Sequence, residues 1–247
     1  MRNFKAFALT LGLLVIFGSC KKEKVDVRSK GSLVLKVTYS VDGETLQMEQ
    51  IKYVNQAGNV YSVTRLQYYI SHIALFNREY GWTLIDTFYL FDADKYPVQK
   101  VFVNNVPLRY YDSIRFYIGL PPSLNHHDSL PNTVENQEMI WPGMMGGGFH
   151  FLKLEGKFKE ADTSSTISGY AMHLGTNIAL VSVTLPVNVD LSKNLIVELS
   201  LDMNVNEWFR NPYTYNLAEK AYIMGDTVRM QKIARNGQDV FTVVGVN

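Results

Sequence analysis

The chain has 247 residues, 47% apolar and 19% charged, with 15 Tyr, 13 Phe, 17 Gly and 8 Pro; this is the make-up of a folded, β-rich, turn-rich domain and excludes disorder and coiled coil. Lys and Arg number 24 against 23 Asp and Glu, with no long basic run to neutralise phosphates, so nucleic acid is excluded as a partner. The single cysteine, Cys20, excludes an internal disulfide framework and every zinc site needing two thiolates.

Arg2 and Lys5 precede an apolar run over residues 6–17, followed by Gly18, Ser19 and Cys20, the layout of a secretory signal. The run of about 12 residues is too short for a hydrocarbon core that takes about 20. Phe17-Gly18-Ser19-Cys20 resembles a bacterial lipobox, which implies cleavage before Cys20, acylation of that cysteine and membrane attachment through the lipid. Residues 1–19 are therefore expected to be a signal peptide, 20–30 a lipidated tether and 31–247 one folded domain. Without Arg2 and Lys5 the chain carries 22 basic against 23 acidic residues. Lys21 after the cysteine resembles signals for delivery to an outer membrane, facing either the periplasm or the cell surface.

Along the domain, residues 32–39 read as a strand entering a turn at Val41-Asp42-Gly43-Glu44. Short β-prone runs follow at 51–54 and 60–63, then a long hairpin from 66–77 and 82–91 about the Arg78-Glu79-Tyr80-Gly81 turn. In residues 110–120, Ile114, Phe116 and Ile118 alternate with Ser113, Arg115 and Tyr117, giving a strand with one buried face. Residues 121–148, with Pro121, Pro122, Pro131, Pro142 and four glycines, have no periodicity; loops that long in compact domains are usually functional or disordered. Strand-like segments resume at 149–158, 169–174, 178–185 and 195–203. Short helices are expected at 205–210 and 217–224, and a closing apolar segment at 241–246. The fold expected is all-β, a single β-sandwich with minor helices near the C-terminus.

The histidines are His72, His126, His127, His150 and His173. None forms a spaced pair on one strand, so any metal site must be assembled across the fold. His72, in an alternating pattern, reads as an ordinary strand histidine. His126 and His127 point apart in extended backbone, so at most one joins a given site. His150 lies on the opposite strand face from Phe149 and Phe151. No nucleophile motif, phosphate loop or calcium loop is present, and the adjacency of His126, Asp128 and Ser129 does not make a triad.

Several stretches taken together resemble the MbnP-like family of methanobactin-associated, periplasmic copper-binding proteins. They are Tyr61-Ser-Val-Thr-Arg-Leu-Gln-Tyr-Tyr-Ile-Ser71, Ile118-Gly-Leu with Leu124-Asn-His126, Met139-Ile-Trp141, Gly148-Phe-His-Phe-Leu-Lys-Leu-Glu-Gly156 and His173-Leu-Gly175. The resemblance implies a secreted all-β domain that binds copper through two histidines, carried over as His126 and His173. It also implies a nearby Trp, here Trp141, that in some members is oxidised to kynurenine by a dihaem peroxidase-like partner. The sequence departs from the pattern in two places: a second Trp is replaced around Met144, and His150 stands where Lys is usual.

Neutral imidazoles suit copper, two of them suit the monovalent ion, and thioethers are an added soft donor. His150, His72 and Met172 are therefore further candidate ligands, with Met144 and Met145 beside them, although Met commonly just fills core gaps. The expectation is a lipid-anchored Cu(I) binder and not an enzyme. The alternative is a surface module that binds glycan or protein through its Tyr- and Trp-rich loops, with structural histidines.

Overall fold

The computed structural model describes residues 30–247; the expected signal peptide, Cys20 and the tether up to residue 29 lie outside the described residues. Alternating Leu33, Leu35, Val37, Tyr39 and Val41, all buried, make β1 (Lys30–Val41), which returns as β2 (Glu44–Thr45). The turn between them has Asp42 at φ 51° and Gly43 at φ 88°, the left-handed pair that a two-residue hairpin requires. β3 (Tyr53–Val54) and β4 (Val60–Tyr61) are short, and β5 (Arg65–Asn77) with β6 (Gly81–Asp92) is the long hairpin expected. β7 (Gln99–Pro107) and β8 (Tyr110–Ile118) follow. After a long loop come β9 (His150–Lys159), β10 (Ser168–Gly175), β11 (Val181–Asp190), β12 (Ile196–Asn204) and β13 (Phe241–Val246).

The strands form two sheets. The smaller runs β13-β12-β1-β2 with β7 also on β1; the larger runs β11-β8-β5-β9-β4-β3 with β6 on β5 and β10 on β9. β1 is parallel to β12 and antiparallel to β7. Leu33, Leu35 and Val37 of the smaller sheet share one core with Leu66, Tyr68, Ile70, Ile114, Phe116, Leu152 and Leu154 of the larger. Alternation then leaves Arg65, Gln67, Lys153, Glu155, His173 and Gly175 on the outer face of the larger sheet.

That outer face is covered by the loop. Residues 121–148 contain a short helix, α1 (Val134–Glu138), capped by Thr133, and a 3-10 turn at Gly143–Met145. The Tyr69 hydroxyl donates to Asn136 Oδ1 at 2.8 Å, the Lys153 ammonium donates to the Glu138 carbonyl, and Ile140 bridges Phe149. Leu130, Met139 and Trp141 are buried as a result.

The C-terminal part departs from expectation. Val205–Phe209 is a 3-10 helix, but 217–224 is not helical because its backbone pairs with the free edge of β10: Ala171 N–H donates to the Ala221 carbonyl at 2.8 Å and Ile223 N–H to the Ala171 carbonyl at 3.3 Å. The helix is α2 (Thr227–Asn236), capped by Asp226, with Met230, Ile233 and Ala234 turned inward. Among the described residues no helix is long and apolar enough to cross a membrane.

Candidate metal centre

The centre is built where β9 meets β10. His173 lies opposite Lys153 and Leu174 opposite Leu152, but Gly175 lies opposite His150, so Phe151 is an extra residue in β9. Such a bulge re-aims the side chains beyond it. Without it His150 would share the core-facing side of Leu152; with it His150 pairs with Gly175, two residues from His173 and on the same face. The imidazoles of His150 and His173 meet edge to face, their centroids 5.0 Å apart at 88°.

Trp141 completes the contact. Its ring lies 4.8 Å from that of His150, its Nε1–H donates to the Met145 carbonyl at 3.1 Å, and it is 1% exposed. The indole occupies the space a side chain at position 175 would need: a Cβ there would lie 2.3 Å from Trp141 Cε3. The glycine of His173-Leu174-Gly175 is thus the seat of the tryptophan.

Each imidazole is held by one nitrogen. His150 Nδ1 lies 3.2 Å from the Met139 carbonyl, an acceptor only, so Nδ1 carries the proton. His173 Nε2 lies 2.8 Å from Glu155 Oε1. The other nitrogens, His150 Nε2 and His173 Nδ1, are buried without a hydrogen-bond partner. Burial, followed by Lys153 and His173, pushes the His150 pKa down from 6.5 to about 3, which keeps this ring neutral at pH 7. Burial and the neighbouring Arg65 likewise lower Lys153.

The other candidate residues lie apart from this contact. His126, expected as the partner of His173, is exposed on the loop, with Nδ1 3.0 Å from the His127 carbonyl and Nε2 3.1 Å from the Ser123 carbonyl. The ring set against His173 is that of His150. His127 pairs with Asp128 at 2.7 Å on the surface. His72 sits at the β5 bulge with φ 53° and stacks on Tyr117 at 4.9 Å. Met172 is fully buried and alternates with His173, which turns it to the core side of β10. Met144 is 92% exposed. Among the described residues no three His, Cys, Asp or Glu side chains gather as a metal cage, so an ion here would rely on the two imidazoles.

Glu155 and Gly175 do not stand out as site residues in the sequence. The signal for Gly175 is its spacing: a glycine two residues beyond a histidine on one strand leaves room on that histidine's face for a large neighbour. Glu155 follows Lys153 by two and so shares its side of β9.

No curated protein matches the chain. Among solved structures it is similar to "MbnP from Methylosinus trichosporium", with a TM-score of 0.51 at 12% identity over 74% of this chain and 78% of that one, a likeness of fold. The family model described as MbnP matches residues 30–225. That match takes in both sheets' paired strands up to β12 as well as the Trp141, His150 and His173 cluster, and the chain accordingly belongs to the MbnP family.

Proposed function

We propose that the protein binds copper as the monovalent ion through His150 and His173, on the outer face of the larger sheet beneath the 121–148 loop. Membership of the MbnP family carries an association with methanobactin and copper and an extracytoplasmic setting. The observation that carries the reading is the pair of buried ring nitrogens, His150 Nε2 and His173 Nδ1, left without partners on imidazoles whose centroids are 5.0 Å apart. Buried polar atoms are as a rule hydrogen-bonded; of the few here that are not, these two sit on neighbouring rings, and metal–imidazole bonds of about 2 Å let one ion engage both after side-chain adjustment.

The donor set fits the metal. Two imidazoles beside an indole, with no cage of three or more His, Cys, Asp or Glu among the described residues, suit a soft monovalent ion better than calcium, magnesium or manganese. His150 and His173 would hold the ion, Trp141 and Gly175 wall the site, and the loop excludes water. Copper would supply one-electron redox chemistry there.

In this reading the protein is a binder that scavenges, stores or delivers copper, held to the outer membrane by the lipid on Cys20. An oxidising dihaem partner would meet Trp141 buried, with its Nε1–H tied to the Met145 carbonyl; the reading needs Trp141 as a wall and does not need it modified.

The test is an anaerobic competition titration with a colorimetric copper(I) chelator at pH 7. One copper per chain is expected, lost in His150→Ala and in His173→Ala and kept in His126→Ala. Loss in His126→Ala with retention in His150→Ala would restore the pairing that the family resemblance implies. Absence of binding in the unsubstituted protein would leave the glycan- or protein-binding alternative.

A further inference from the structure

The nitrogen of His173 that faces away from the proposed ion is tied to a row of side chains across three strands. Arg65 on β5 is the register partner of Glu155 on β9, and its Nη1 lies 3.4 Å from Glu155 Oε1. The same oxygen lies 2.8 Å from His173 Nε2. Lys153, the register partner of His173, does not compete for that carboxylate, because its ammonium is taken up by the Glu138 carbonyl of the loop.

A carboxylate oxygen paired with a guanidinium is an acceptor, so in the contact with Glu155 the hydrogen sits on His173 Nε2. In a neutral imidazole the lone pair is then on Nδ1, the buried nitrogen without a partner. Most free imidazoles carry the proton on either nitrogen, and which one does is set by the bond the other makes.

We propose that Glu155, braced by Arg65, is a positioning residue that locks His173 in the Nε2–H tautomer and so reserves Nδ1 for the metal. The purpose of this arrangement rests on the copper reading above; its geometry does not. The centre would then be asymmetric, taking Nδ1 from His173 and Nε2 from His150, each ring fixed from behind by an acceptor: a carboxylate for one and the Met139 carbonyl for the other. A carboxylate behind a ligating imidazole also raises its basicity, and loss of such a partner typically costs about 10- to 100-fold in metal affinity.

The experiment uses the metal-free protein and two readouts. Long-range proton–nitrogen NMR correlations at pH 7 report the tautomer of His173, and copper(I) competition reports affinity. The expected result is Nε2–H for His173 in the unsubstituted protein. In Glu155→Met, which removes the acceptor but keeps the stem, the tautomers should mix and affinity should fall about 10- to 100-fold. Glu155→Gln, whose amide oxygen can still accept, should restore the Nε2–H tautomer and affinity to within a few fold. Glu155→Ala replaces the Met variant if that one fails to fold, with unfolding midpoints as the control. An Nδ1–H tautomer in the unsubstituted protein, or an unchanged tautomer in Glu155→Met, overturns the assignment. If the tautomer responds as expected but the protein takes no copper(I), the copper reading falls while the control of His173 by Glu155 stands.

Discussion

Replacing Gly175 by Ala tests whether the tryptophan seat is as tight as its geometry requires. A Cβ at this position would stand 2.3 Å from Trp141 Cε3 and 2.6 Å from Cδ2 and Cζ3, whereas carbon atoms rest about 3.5–4.0 Å apart. The indole would have to withdraw by about 1 Å. It cannot do so by a simple rotation, because its Nε1–H is held by the Met145 carbonyl and its face by His150. Overpacking of this kind costs about 1–3 kcal/mol, and a strained or lost indole hydrogen bond adds about 1 kcal/mol. On backbone grounds alone Gly→Ala in a compatible conformation stabilises by about 0.4–1 kcal/mol, so the two arguments predict opposite signs. A net loss of about 2 kcal/mol is expected, read as a lower urea midpoint at unchanged slope. In a Trp141→Ala background the same change should cost almost nothing, giving a coupling energy of about 2 kcal/mol. Equal or greater stability of Gly175→Ala, or additive effects of the two changes, would refute the reasoning.

The metal-free protein should lose stability on acidification through His150. Its native pKa of about 3 lies below its ordinary value of 6.5, so the unfolded chain protonates first, and the contribution present above pH 6.5 declines as the pH falls towards 3. The loss is about 2 kcal/mol at pH 5, measurable by urea unfolding at pH 7 and 5 and flattened in His150→Phe. Tyr69→Phe, which removes the bond to Asn136 that pins the covering loop, should cost about 1 kcal/mol and speed hydrogen exchange at residues 134–139 more than in β5. Asn236→Ala should cost about 3 kcal/mol in thermal or urea unfolding. Its buried amide accepts from Tyr213 N–H at 2.9 Å and donates to the Trp208 carbonyl at 3.0 Å and the Tyr213 carbonyl at 2.7 Å.

The strands legible in the sequence are those with one clean buried face. β8 is the clearest, because Ile114, Phe116 and Ile118 are all fully buried against the core. β7 escapes notice because it buries only Val103 and Val106 outright and carries Asn104 and Asn105, the latter at φ 63°. α2 went unread in the sequence, although its Asp226 cap followed by Met230, Ile233 and Ala234 at helical spacing is a signal that could have found it. Residues 217–224 carry a similar apolar pattern but are drawn into extended pairing by β10, a tertiary preference that no local window contains. The Trp141 segment and His173 both draw attention in the sequence, and the structure brings each into ring contact with His150. The meeting of His150 with His173 is not legible, because it depends on one extra residue at Phe151 that reverses the alternation on which every facing argument relies. His126 stands out for the opposite reason: its motif is conspicuous in the chain, yet the loop turns both its ring nitrogens toward backbone carbonyls.

The placing of β1 decides how the domain bears a mechanical load. The strand starts at Lys30 and lies between β12, its parallel partner from Ser32 to Ser40, and β7, its antiparallel partner from Lys30 to Val37. A pull on the chain ahead of Lys30, with the body of the domain held, draws β1 lengthwise between these neighbours. All its hydrogen bonds then share the force in shear, whereas a strand peeled from an edge breaks them in succession. The first structural event under tension should be abrupt and should involve the smaller sheet. The larger sheet and its His150–His173 contact lie off the line of force, and the centre should keep its geometry until β1 gives way.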